Sequence, residues 1–213
     1  MAAHSSLTVD SAQLRRVQRT RKLVLLGGLL VWLLVLIVTR SRWDTEAPQL
    51  ARAVCLAGVV LILVCIIGRT WCTLYIGGLK KRTLVVTGPY SLVRNPLYVF
   101  TSIGAAGIGA QSGSLVLMVL AAAASLGVFH VVVRREEAYL RASFPEEFAS
   151  YAARVPRFLP RLTWRDAEEL VVRPRLVRRT FLEGCLFLLA IPVAQTLALL
   201  HASGALPVLA RLP

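Results

Sequence analysis

The sequence predicts an all-α, polytopic membrane protein of about five transmembrane helices, on three observations. First, its 213 residues are 56% hydrophobic with a mean hydropathy of +0.66, and soluble domains do not gather apolar residues into such long runs. Second, five runs reach or approach the length that crosses hydrocarbon at ~1.5 Å per residue: Leu23–Thr39, Leu50–Gly68, Leu97–Ala110, Ser114–Val133 and Phe181–His201. Third, with the N-terminus inside, 21 of the 25 Lys and Arg residues fall in connections on one face. That is the positive-inside asymmetry of an inner-membrane protein, with the N-terminus cytoplasmic and the C-terminus on the opposite side.

In chain order, residues 1–22 form a basic cytoplasmic leader, and residues 23–213 form a single membrane-embedded domain. Arg15, Arg16, Arg19, Arg21 and Lys22 suit an amphipathic helix lying on headgroups. No small-residue cleavage site follows the first apolar run, so Leu23–Thr39 is expected to stay as a span. Arg42-Trp43 anchors its end, and Asp44, Glu46 and Pro48 form an external turn. After the second span, Trp71, Tyr75 and Gly77-Gly78 suggest an interfacial segment that breaks before Lys80-Lys81-Arg82. Thr83–Thr87 is β-like but has no partner strand, so it is expected as an extended loop packed on the hairpin. Gly88-Pro89 makes a turn, and Asn95-Pro96 starts the third span with Pro in its first turn.

The third span is short, and Gln111-Ser112-Gly113 bends it into a hairpin. Gly104, Gly107 and Gly109 are expected to face Ala121–Ala124, since small residues let helices approach closely in lipid. The returning helix should continue out of the bilayer through Arg141. Ser143 then reads as the cap of a short helix, with Glu146 completing a capping box. Pro156 and Pro160 end that element, and Trp164–Arg179 is a basic, surface-lying link to the last span. There, Arg179 and Glu183 are an i,i+4 pair and Pro192 predicts a kink.

A net charge of +14 raises nucleic acid as a partner, but no basic domain exists apart from the spans. The anionic headgroups of the lipid bilayer are the natural partner instead. Cys55, Cys65, Cys72 and Cys185 lie in or beside spans with no CxxC pair, and read as packing residues rather than a metal site or disulfide framework.

The chemistry concentrates in Thr87-Gly88-Pro89-Tyr90-Ser91-Leu92-Val93-Arg94-Asn95-Pro96-Leu97-Tyr98 and, one hairpin later, in Arg134-Arg135-Glu136-Glu137. Charged residues at a bilayer edge cost insertion energy and mark function. The first block resembles the G-P-Y-x-x-x-R-H-P-x-Y signature of the isoprenylcysteine carboxyl methyltransferase and phospholipid methyltransferase superfamily. Glu136-Glu137-x-x-Leu140, Phe144-x-x-x-Phe148-x-x-Tyr151 and Val155-Pro156-Arg157-Phe158-x-Pro160 resemble its second block, with order and spacing agreeing from about Arg69 to Pro160.

The resemblance implies S-adenosylmethionine bound at the cytoplasmic edge and a lipophilic methyl acceptor arriving from the lipid phase. Thr87, Gly88, Pro89, Tyr90, Arg94, Asn95, Pro96, Tyr98, Glu136 and Glu137 are the expected cofactor contacts, with Arg94, Asn95 and Glu137 nearest the chemistry. Arg94 can grip a carboxylate as a fork, Tyr90 and Tyr98 can face a sulfonium, and Glu136 or Glu137 can accept from an amine or ribose hydroxyls. Backbone N–H groups near Gly88 are expected to be free for a ligand. Asn95 stands where the family pattern has His, so it can hydrogen-bond but cannot titrate. His130, two helical turns before Glu137, is the one substitute imidazole on that helix face. A carboxylate on a prenylated thiol, a lipid amine and another lipophilic group all suit as acceptor. A sterol-type NADPH reductase and a non-catalytic membrane adaptor on the same scaffold are the competing classes.

Overall fold

The computed structural model describes residues 27–28, 30–77 and 83–213, so the basic leader, the start of the first span, Gly78 and Lys80-Lys81-Arg82 lie outside the described residues. The chain is mostly helical. Helical residues 30–38 (α1) lead into a short strand β1 (Thr39–Ser41), a helical turn α2 (Trp43–Glu46) and α3 (Pro48–Ile76). The turn α4 (Pro89–Leu92) precedes the hairpin α5 (Pro96–Ala110) and α6 (Leu115–Ser143), then α7 (Pro145–Arg154). The last helical stretch is α8 (Pro174–Cys185), a 3₁₀ segment at Leu186–Leu189 and α9 (Ala190–Ala202), followed by strand β2 (Ala210–Leu212).

Three helical stretches, Pro48–Ile76, Leu115–Ser143 and Pro174–Ala202, are each long and apolar enough to cross a membrane. Their exposed faces carry Leu56, Ile67, Val119, Leu186 and Leu199, as expected where lipid is the solvent. Prolines set most starts: Pro48, Pro96, Pro145 and Pro174 each stand in the first turn of their helix, where a missing N–H costs nothing.

The hairpin lies against α3. A Cβ on Gly107 would meet Gly58 and Ile62, and one on Gly104 would meet Cys65 and Phe187, so these glycines face α3 rather than Ala121–Ala124. Gly109 alone meets the returning arm, at Leu117, Met118 and Ala121. The reason is geometric: a helix between two neighbours divides its small residues between them.

The helix that carries the second apolar run continues past Gly68, unbroken through Ile76. Arg69 is tolerated within it because Nη1 donates to Thr101 Oγ1 (3.0 Å) and the guanidinium lies over the Phe187 ring. Cys72 and Tyr75 then turn inward onto Tyr90. The expected loop at residues 83–87 is extended and packed: Val85 joins Cys72, Tyr75 and Tyr90, while Leu84 and Val86 join Phe148, Tyr151 and Val155. Ser143 ends α6 and caps nothing, because Pro145 at the first position of α7 makes Phe144 the cap, without a side-chain hydrogen bond. The Leu186–Leu189 3₁₀ segment lies just before Pro192, which has no N–H for the carbonyl four residues back.

One feature departs from the all-α expectation. Strands β1 and β2 pair in parallel, Thr39 with Ala210 through Ser41 with Leu212. Ser114 Oγ donates to the Pro213 carbonyl at 2.6 Å, and His201 Nε2 lies 2.8 Å from the Ile37 carbonyl. This closes the end of the bundle opposite Glu137.

Candidate functional site

Gly88 opens the motif with a positive φ of 58°, a conformation that glycine adopts without penalty. Its N–H donates to the Arg165 carbonyl at 2.7 Å, so it is not free for a ligand; a distant segment has claimed it. Ser91 locks the turn, its hydroxyl donating to the Gly88 carbonyl (2.7 Å) and accepting from Arg165 N–H (3.0 Å). Arg161 N–H donates to the Leu92 carbonyl. The segment 161–165 therefore lies across the Gly88 turn.

Beyond the turn, Val93 is extended and buried, and Arg94 N–H donates to the Pro156 carbonyl at 2.9 Å. Asn95 must be non-helical ahead of Pro96, and it is, with φ −129° and ψ 55°. These constraints aim Arg94 and Asn95 at α6.

There they meet Glu137, which is 3% exposed. Oε1 accepts from Asn95 Nδ2 at 3.1 Å and lies 3.2 Å from Arg94 Nε. Arg94 Nε stands at ion-pair distance but is not aligned for a hydrogen bond; its Nη1 donates to the Ala152 carbonyl at 2.9 Å. Oε2 accepts from Arg157 Nη2 at 2.7 Å and Nε at 3.1 Å. One buried carboxylate thus joins two guanidiniums and an amide from two other chain segments. Breaking such a buried pair by deleting one partner costs about 3–5 kcal/mol, because it leaves a charge uncompensated. The Glu137 bond pushes the Arg157 guanidinium further above its ordinary range.

Beside this cluster, Tyr98 donates to Glu136 Oε1 at 2.9 Å, and its ring packs 4.6 Å from that of Phe129. Tyr151 donates to the Tyr90 carbonyl at 2.7 Å. The Tyr90 hydroxyl is buried and has no hydrogen-bond partner among the described residues. Burial pushes its phenol well up, and Cys72, Tyr151, Glu136 and Tyr98 lie within electrostatic reach. Thr87 is half-buried, with its carbonyl accepting from Tyr90 N–H, and Pro89 and Pro96 are buried as helix starts.

All ten residues singled out from sequence therefore belong to one end of the bundle. Arg94, Asn95 and Glu137 bond one another, and Tyr98 bonds Glu136. Arg157 and the Ala152 carbonyl were not among them. The sequence marks Arg157 as a basic residue of the second block, but not which acid it meets. His130 shares a helix face with Glu137 but is exposed, its ring 6.0 Å from Phe158. Two cavities, of about 550 and 190 Å³, lie elsewhere, on α8 and at the β1–β2 end. Among the described residues, no three His, Cys, Asp or Glu side chains gather as metal ligands, and Cys55, Cys65, Cys72 and Cys185 are free thiols.

A bundle with a motif turn and acidic pair meeting at one end defines a class. The phospholipid methyltransferase family profile matches residues 49–147, and the chain belongs to that family, within the isoprenylcysteine and phospholipid methyltransferase superfamily. It is an integral membrane protein of methyltransferase type. Two relatives align along most of its length. The cobalt-zinc-cadmium resistance protein CzcN of Cupriavidus metallidurans is 39% identical over 173 residues, covering 80% of this chain and 78% of the relative. The nickel-cobalt-cadmium resistance protein NccN of Alcaligenes xylosoxydans xylosoxydans is 35% identical over 184 residues, covering 86% and 85%. No solved structure matches the chain.

Proposed function

We propose that this protein transfers a methyl group from S-adenosylmethionine to a membrane-associated acceptor at the Glu137 end of the bundle, on the cytoplasmic face. One observation carries the reading: two blocks separated by a helical hairpin meet at Glu137 through Arg94 and Asn95, beside a buried Tyr90 hydroxyl that has no hydrogen-bond partner among the described residues. The residues fit such a cofactor. An orphaned buried hydroxyl is costly unless something bonds it, and the adjoining Tyr98 and Phe129 rings with the Glu136 carboxylate form surroundings that favour a cation.

When bound, S-adenosylmethionine supplies an electrophilic methyl group on a sulfonium, transferred by in-line displacement. Tyr90, held protonated by burial, offers a hydrogen bond. The Arg94–Glu137–Arg157 lattice fixes the start of α5 against α6, and so keeps Tyr90 and Tyr98 in place. Alignment of this kind is the main contribution a protein makes to a displacement between two bound partners. Asn95 orients its neighbours but takes no proton, so the acceptor is one that is already nucleophilic or that loses its proton to solvent. A prenyl-thiol carboxylate, a lipid amine and other lipophilic nucleophiles meet that condition.

The relatives carry names of metal resistance. We read the corresponding role here as modification of a membrane component rather than metal capture. The single carboxylate at the centre of the cluster is already neutralised by two guanidiniums, and these repel a divalent cation.

The test is twofold. Isothermal titration of the purified protein should register S-adenosylmethionine and not NADPH; the reverse result would establish a reductase, and silence toward both an adaptor. Radiolabelled methyl transfer into total lipid and protein extracts should then mark one lipophilic species, and an absence of label in a protein that binds the cofactor would remove the transferase reading.

A further inference from the structure

The first half of α8 carries the larger cavity, about 550 Å³, lined by Arg173, Arg175, Arg178, Arg179, Leu182 and Glu183 among others. Glu183 is already taken, accepting from Arg179 Nε at 2.8 Å. Arg173, Arg175 and Arg178 pair with no carboxylate among the described residues. Three exposed guanidiniums around one cavity are a cationic arrangement with no counterion among the described residues.

The depth of this cavity is fixed by what lies beside it. Thr180 Oγ1 and Thr73 Oγ1 are 3.2 Å apart, which sets this turn of α8 level with the last turns of α3, at the Glu137 end. One turn further, from the end of α8 into the 3₁₀ segment, the exposed side chains other than Glu183 are mostly apolar, with Phe181, Leu182, Leu186 and Leu189 facing outward. At 1.5 Å per residue, Arg178 stands about 6 Å from the level of Leu182. That is the distance from hydrocarbon at which headgroup phosphates sit. The preceding segment adds Leu159 and Leu162, 81% and 96% exposed, and a half-exposed Trp164 stacked on Trp71. Apolar side chains interleaved with arginines in this way suit an interface, not bulk water.

We infer that the α8 arginine cavity binds the phosphate of an anionic phospholipid headgroup in the surrounding leaflet, at a place separate from the methyl-transfer site. Guanidinium forks match phosphate oxygens bidentately, and the exposed leucines beneath leave room for the acyl chains of the same molecule. A lipid held here steadies α8 and, through the chain leading to it, the segment 161–165 that lies across the Gly88 turn.

The experiment uses the full chain in a neutral detergent and needs neither S-adenosylmethionine nor a methyl acceptor, so its failure leaves the proposed function untouched. Native mass spectrometry measures binding of short-chain phosphatidylglycerol and phosphatidylcholine, with inorganic phosphate as competitor. Phosphatidylglycerol should bind about tenfold more tightly than phosphatidylcholine, and the double variant Arg175→Gln/Arg178→Gln should lose that preference. The control Arg134→Gln/Arg135→Gln, on exposed positions of α6, should keep it. Equal binding of the two lipids would overturn the proposal. So would equal loss in the control, which would mean diffuse surface charge, or full displacement by millimolar phosphate, which would mean a free-anion site.

Discussion

The two ends of this bundle are closed by different chemistry. At the Glu137 end, side chains do the closing: a buried carboxylate gathers Arg94, Asn95 and Arg157, and Ser91 stitches residue 165 to the Gly88 turn. At the Ser114 end, backbone does most of it, with β1 paired to β2 and the Pro213 carbonyl accepting from Val116 N–H, helped by Ser114 Oγ. A backbone ladder tolerates nearly any side chain, whereas a buried ion cluster tolerates almost none. The costly arrangement sits where the family's motifs are, and the permissive one sits where they are not.

Substitutions can break or sharpen that contrast. The largest effect is expected for Glu137→Leu, which strands two guanidiniums: about 3–5 kcal/mol lost, read as a lower unfolding midpoint in detergent and abolished methyl transfer. A near-wild-type melt would mean that Arg94 and Arg157 find water and that the cluster does not hold this end together. Gly88→Ala comes next. It forces a side chain into a positive φ and against the Tyr75 ring, for about 1–3 kcal/mol. Cofactor titration should weaken alongside, because the Tyr90 backbone moves with the turn.

At the other end, Ser114→Ala removes both the cap on Leu117 N–H and the bond to Pro213, at a cost of about 1 kcal/mol. Binding of S-adenosylmethionine should stay at the wild-type level; if it falls, the two ends are coupled. Tyr90→Phe is the most discriminating change. Deleting a buried hydroxyl that has no partner among the described residues should leave the melting temperature unchanged or raise it, by up to about 1 kcal/mol of stability. The same change should weaken cofactor binding severalfold. Unaltered affinity would show that the orphaned hydroxyl is not a ligand contact. Arg42→Gln, which removes an exposed pair with Glu46, should move stability by no more than about 0.5 kcal/mol.

Much of the architecture was local in origin. Pro48, Pro96, Pro145 and Pro174 start helices for a reason contained in one ring and one missing N–H, and Gly88 marks its turn because it alone accepts that φ cheaply. Apolar runs announced their helices by length. The same local reasoning does not show that the helix runs on past Arg69 to Ile76, which depends on Thr101 and Phe187 receiving that side chain. It also assigned a cap to Ser143 that Pro145 transfers to Phe144. The Glu136-Glu137 pair was legible as a candidate site, but not how its members divide: Glu137 inward on Arg94 and Arg157, Glu136 on Tyr98.

Composition, charge asymmetry and two spaced motifs by themselves determined a helical membrane protein of methyltransferase kin, because hydrocarbon crossing and motif order are properties of the chain read in sequence. Tertiary structure alone decided that Arg157 completes the Glu137 cluster, that Arg165 consumes the Gly88 N–H, and that residues 39–41 find a partner strand at 210–212. Each of these joins positions from 20 to 171 residues apart. A pairing at that range depends on how helices pack, and no local periodicity encodes it.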